Sequence, residues 1–154
     1  MTSYKKITAH VVVITVLAVI ANVIALVIYR AILPAPATFS PFWYSSVIEL
    51  TAAGVVAAGI VYYAMALIWR GKLPSRNVNR DYAWLSIILL VLSFVPDLLL
   101  PFSTDADNAG ATWPVVAALM IMHVIPAVIA IVGFVYLNRE QQELASEISS
   151  GLGK

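Results

Sequence analysis

The chain contains no cysteine, which excludes disulfide staples, thiolate metal sites and any thiol-based redox relay. Charge is nearly as scarce. Asp, Glu, Lys and Arg together make up 11% of the 154 residues, less than half of the about one quarter usual in soluble domains. That shortage excludes disorder, coiled-coil rods and an ordinary water-facing globule. A net charge of +1 leaves no broad basic face for nucleic acid. Also missing are a phosphate-cradling glycine loop, a nucleophile elbow, a His-Glu-x-x-His pair and a dinucleotide fingerprint. No cofactor and no catalytic residue is therefore expected.

What fills the chain instead is apolar, 62% of it, with a mean hydropathy of +0.93. Crossing a bilayer core takes about 20 mostly apolar helical residues. Four runs meet that length, roughly 7–29, 42–69, 82–102 and 113–137. Breakers separate them: Pro34, Pro36 and Pro41, then Gly71 and Pro74, then Asp105, Asp107, Asn108 and Gly110. The expected fold is all-α, a four-transmembrane-helix bundle forming one integral membrane domain over residues 1–154. Residues 139–154 form a polar, Glu-rich tail, expected to prolong the last helix and to fray at Gly151 and Gly153. Lys5 and Lys6 before the first run resemble a signal peptide, but its apolar stretch exceeds the about 7–15 residues of a signal core. It is expected to stay as an anchor.

Basic residues set the expected orientation. With four spans, both termini and the middle loop share one side, and eight of the nine Lys and Arg residues fall there. Only Arg30 lies opposite, beside Asp105 and Asp107. Retention of Lys and Arg on the cytoplasmic side gives an N-in, C-in protein of the plasma membrane. Trp43, Trp69, Tyr82, Trp113 and other aromatic residues at the run ends fit interfacial anchoring. His10 is expected to reach headgroups, and the basic 71–80 loop anionic lipid.

Against lipid, packed helix faces are marked by small and polar residues. On the first helix Thr8, Thr15, Asn22 and Tyr29 recur every seven residues, with Ala18 and Ala25 between. On the second, Glu49, Ala53 and Ala57, with Gly54 and Ala58, form a comparable stripe. Ser86, Ser93 and Asp97 mark the third, and His123, Ala127 and Ala130 the fourth.

Three ionisable residues fall inside the spans: Glu49, Asp97 and His123. A charge in hydrocarbon costs roughly 2.5–3.5 kcal/mol on insertion scales, so such groups face the bundle interior and find partners. At a rise of about 1.5 Å per residue, all three and Asn22 lie in the outer half, with Arg30 just above. These five residues, Asn22, Arg30, Glu49, Asp97 and His123, are the candidates for ligand binding or proton relay. Packing alone also accounts for them, as a polar plug that fixes helix register. No two candidate metal ligands share the i, i+3 or i, i+4 spacing, so no metal is expected. Pro96 and Pro126 beside Asp97 and His123 free backbone carbonyls and suggest kinks around a cavity.

The stretch Leu50-Thr51-Ala52-Ala53-Gly54-Val55-Val56-Ala57, the Leu92-Ser93 step before Pro96, and Ala118-Leu119-Met120-Ile121-Met122-His123 before Ala127 carry a resemblance. They resemble a family of small four-helix bacterial membrane proteins, the DUF6069 type. The resemblance implies the span count, a bacterial membrane location and the Met122-His123 step on the last helix, and implies no activity.

Three functions fit these residues. The leading expectation is a non-enzymatic integral membrane protein whose outer-half polar cluster is structural or binds a small molecule or lipid. The second is a small transporter or proton-coupled carrier, which with four spans would need a homodimer or larger complex. The third is a lipid-modifying enzyme using Glu49, Asp97 and His123 as acid and base.

Overall fold

Every apolar run becomes a helix because, without water, backbone N–H and C=O groups must pair within their own segment. The computed structural model describes residues 2–33, 35–36, 38–72 and 77–151, with side chains over 7–33, 35–36, 38–68 and 77–136. Four helices result: α1 (Thr2–Ile32), α2 (Tyr44–Lys72), α3 (Val78–Leu99) and α4 (Trp113–Gly151). No strand occurs among the described residues. Within the helices, Ile7–Ile32, Tyr44–Ile68, Val78–Phe102 and Trp113–Tyr136 are each long and apolar enough to cross a membrane. The protein is an all-α bundle of four potential spans.

Local chemistry sets the helix ends. Before α2, Pro41 sits in a short 3-10 turn over Ser40–Phe42, and Trp43 is extended, so the helix proper starts at Tyr44. Asn77 caps α3, its side-chain oxygen accepting from the Arg80 N–H at 3.3 Å. Pro96 stays within α3, and Pro101 belongs to a 3-10 turn over Leu100–Phe102 that ends the span. Gly110, at φ +95°, closes the loop between α3 and α4. A Cβ there would collide with the Pro36 ring of the loop after α1. These two loops therefore lock together at the same end of the bundle. Residues 1, 34, 37, 73–76 and 152–154, and with them Pro34, Pro74 and the expected fraying at Gly153, lie outside the described residues.

Packing is uneven. α1 contributes Ile14, Ala18, Asn22, Ala25 and Leu26 to the interior, with Thr15 and Tyr29 half-buried, while Val12, Val16, Leu17 and Ile20 face outward. Its seam rests on α2 and α4, and α3 rests chiefly on α4. Two apolar clusters follow. One, near the locked loops, gathers Leu26, Phe39, Phe42, Val115 and Leu119. The other, toward the opposite end, gathers Ile14, Val55, Tyr62, Tyr82 and Phe134. Tyr62 lies 4.9 Å from Tyr82 edge-on and 5.8 Å from Phe134 in a stack, centroid to centroid.

α2 turns a different face inward from the one its small residues suggest. Val47, Thr51, Val55 and Tyr62 are buried, whereas Glu49, Ala53, Gly54 and Ala57 are exposed. Thr51 draws this rotation, because its hydroxyl takes the amide of Asn22 at 2.7 Å across the α1–α2 seam. Glu49 and Thr51 are two residues apart, about 200° around a helix, so only one can face in.

Candidate functional site

α3 is held at its two ends and little between. Only Tyr82 and Asp97 of this helix are buried. At one end, Tyr62 of α2 donates its hydroxyl hydrogen to Asn79 Oδ1 at 2.8 Å and packs its ring on Tyr82. At the other, Asp97 meets His123 of α4, Oδ2 to Nδ1, at 3.1 Å. The two anchors lie 15 positions apart on α3 (82 and 97), about 22 Å along the axis. Between them α2 and α3 part, and a cavity of about 700 Å³ opens among α2, α3 and α4. Its size falls within the roughly 300–1,000 Å³ of small-molecule sites.

The cavity wall is mostly aliphatic, from Leu50, Val55, Val61, Leu85, Leu89 and Ala130 among others. Asn22, Thr51, Ser93, Asp97 and His123 interrupt it, and all five border the same space. Tyr82 also borders it at the Tyr62–Phe134 cluster, which closes that end with stacked rings. Small residues make the room: Gly54, Ala57, Ala58 and Ala127 line the space, and a Cβ at Gly54 would meet nothing within 4 Å. Gly54, Ala57 and Ala58 of the α2 stripe thus border a cavity, whereas Glu49 and Ala53 lie outside it. Leu50 and Leu89, on the rims contributed by α2 and α3, are largely exposed, which places the opening on the lateral face.

His123 shows how the polar groups are balanced. Its Nδ1 lies 2.9 Å from the Leu119 carbonyl oxygen and 3.1 Å from Asp97 Oδ2. Two acceptors around one nitrogen assign the hydrogen to Nδ1. That single N–H donates to the Leu119 carbonyl, leaving Asp97 Oδ2 without a full hydrogen bond. Asn22 is similar: its amide nitrogen is used on Thr51, while its Oδ1 finds no donor. Both residues are at least nine-tenths buried, at 4% and 7% exposure. An unsatisfied buried polar atom costs about 1–3 kcal/mol, and native structures hold few of them.

The structure gathers three of the five candidate residues, Asn22, Asp97 and His123, around one cavity. Glu49 lies on the exposed face of α2 and takes no part in the lining. Arg30 stays at the end of α1, its guanidinium carbon 5.1 Å from the Tyr44 ring centroid, bordering a separate depression of about 150 Å³. Thr51 and Tyr82 join the site without having been singled out by sequence. Thr51 shares one α2 face with Val47 and Val55 at a spacing of four, and Tyr82 looks like an interfacial aromatic by position alone. Among the described residues, no group of three His, Cys, Asp or Glu side chains could hold a metal ion.

A double-mutant cycle separates the gathered residues from the others. Asp97→Asn with His123→Gln should couple by about 0.5–3 kcal/mol in detergent unfolding, the range for contacting pairs. Glu49→Gln with His123→Gln should add within about 0.5 kcal/mol. Coupling in the second cycle equal to the first would contradict the geometry.

No protein-family model, curated protein or solved structure matches the chain.

Proposed function

We propose that this protein is a non-enzymatic integral membrane protein that binds an amphipathic molecule in the cavity between α2 and α3. The observation that carries this reading is one apolar space of about 700 Å³, rimmed by outward-facing Leu50 and Leu89, holding Asn22, Asp97 and His123 in its wall. A polar plug with no ligand would satisfy every oxygen of those groups within the bundle. Here the oxygen atoms of Asn22 and Asp97 stay short of donors beside open space. The ring cluster of Tyr62, Tyr82 and Phe134 closes one end, which favours a binding pocket over a through-path for transport.

The test is intact-mass spectrometry of the protein extracted in a mild non-ionic detergent. A bound, non-detergent mass that survives extraction supports the reading. A bare protein under conditions that retain lipid on other membrane proteins contradicts it.

The proposal places the protein in a plasma membrane, both termini cytoplasmic, in keeping with the charge asymmetry. The absence of native cysteine makes a clean topology test. Thr104→Cys should react with an impermeant thiol reagent on intact cells, and Arg80→Cys only after lysis. The reverse pattern would invert the orientation.

A further inference from the structure

Resting on the binding reading above, we infer that the cavity selects an amphiphile whose head donates hydrogen bonds, an alkyl ammonium or alcohol, and rejects an anionic phosphate head. Three observations converge. The first is the pair of unfilled acceptors, Asn22 Oδ1 and Asp97 Oδ2, on buried side chains that border the space. Asx side chains turn easily about their last torsion, so either oxygen can swing to meet a donor. The second is that three of the donors beside them are engaged. The Asn22 amide nitrogen serves Thr51, the Ser93 hydroxyl serves Leu90, and the His123 N–H serves Leu119. The third is that no Lys or Arg among the described residues lines the cavity, and Arg30 is turned to the Tyr44 ring and a separate depression.

A phosphate is an acceptor with a formal charge and needs donors or cations around it. This wall holds no Lys or Arg among the described residues and sets a carboxylate, Asp97, beside the space, its further donors being only neutral hydroxyls such as those of Thr51 and Tyr82. An ammonium or hydroxyl group brings the missing hydrogens, and the Asp97 carboxylate adds charge attraction to the former. The two unfilled acceptors also sit toward one end of the cavity, away from the Tyr82 and Ser86 hydroxyls. Asp97 lies near the close of α3, whereas Val61, Leu85 and Ala130 lie toward Tyr82. The head therefore seats at Asp97 and Asn22, and the chain runs toward the closed tyrosine end.

The experiment uses the full-length protein in neutral maltoside micelles with three probes sharing one diazirine-bearing alkyl chain: an amine, an alcohol and a phosphate monoester. Peptide mass spectrometry counts insertions at cavity residues such as Leu89 and Ala127, normalised to insertions at lipid-facing Val12 and Val16. The amine and the alcohol should each exceed the phosphate by about tenfold or more, the ratio one charge-assisted hydrogen bond sustains. Asp97→Asn should then lower the amine to the level of the alcohol while the alcohol is unchanged. Phosphate labelling as strong as amine labelling overturns the head inference and leaves the binding site standing. No cavity labelling by any probe overturns both. The wild-type ranking decides the matter even where the Asp97→Asn protein does not fold.

Discussion

Gly54→Phe is expected to clear the cavity of its ligand while leaving the protein folded. The space beside Gly54 is open, with no heavy atom within 4 Å of a built Cβ, and the residue borders the cavity at mid-height on α2. A phenyl ring there enters the ligand's volume without touching the packed seam. Helix propensity works in the same direction, since glycine in a helix interior is roughly 0.5–1 kcal/mol less favourable than a residue with a side chain. The thermal midpoint in detergent should therefore hold or rise, while retained ligand falls at least about tenfold, the equivalent of 1.4 kcal/mol or more in binding. Ligand retained at the wild-type level would place the binding site elsewhere. Loss of ligand together with collapse of the fold would show that α2 does not have the free space described.

Gly133→Leu should do the reverse, with the largest loss of stability of any single change considered. A Cβ on Gly133 falls 2.8 Å from both Cδ1 and Cγ1 of Ile14, itself buried on α1. Neither atom can withdraw, because Ile14 is enclosed with Ala18, Val55 and Phe134 in one cluster. Overpacking of this kind costs typically about 1–3 kcal/mol, and a leucine exceeds what a single methyl would ask. Gly59 belongs to the same seam, its built Cβ 3.0 Å from Phe134 Cζ and 3.1 Å from Val11 Cγ2. Substitution by Ala makes the sharpest comparison: Gly54→Ala neutral or stabilising, Gly133→Ala destabilising, and Gly133→Ala partly rescued by Ile14→Val. Equal melting shifts for the two Ala substitutions would contradict the packing.

These glycines also mark how far sequence alone reaches. Span number is legible because hydrocarbon demands about 20 apolar helical residues, and nothing else in a 154-residue chain explains four such runs. Most of the inward face of α1 is legible too, since Ala18, Asn22 and Ala25 of the small-polar stripe are buried, although Thr8 of the same stripe is exposed. On α2 the same rule loses its grip. Small residues permit a close helix approach, as at Gly59, or leave a space, as at Gly54, and spacing does not tell the two apart. The decision comes from Thr51, whose bond to Asn22 turns the helix and carries Glu49 to the outside. For Asp97 and His123, residue type and depth foretell a partner for each, but their meeting depends on α3 resting on α4. Arg30 sits above the cluster by depth alone, and the Tyr44 ring gives it a nearer place.

Ligand entry as proposed requires the space between α2 and α3 to be open to the bilayer core. A small, uncharged aryl diazirine that partitions into lipid tests it directly in reconstituted vesicles. Residues that insert the photolabel should include the cavity wall, at Leu89, Ser93 and Ala127, together with the outward Ile88 and Leu92. The packed seam at Ile14, Ala18 and Phe134 should remain unlabelled. Labelling of Ile88 and Leu92 with none at Ser93 or Ala127 would show a closed polar plug and contradict the account.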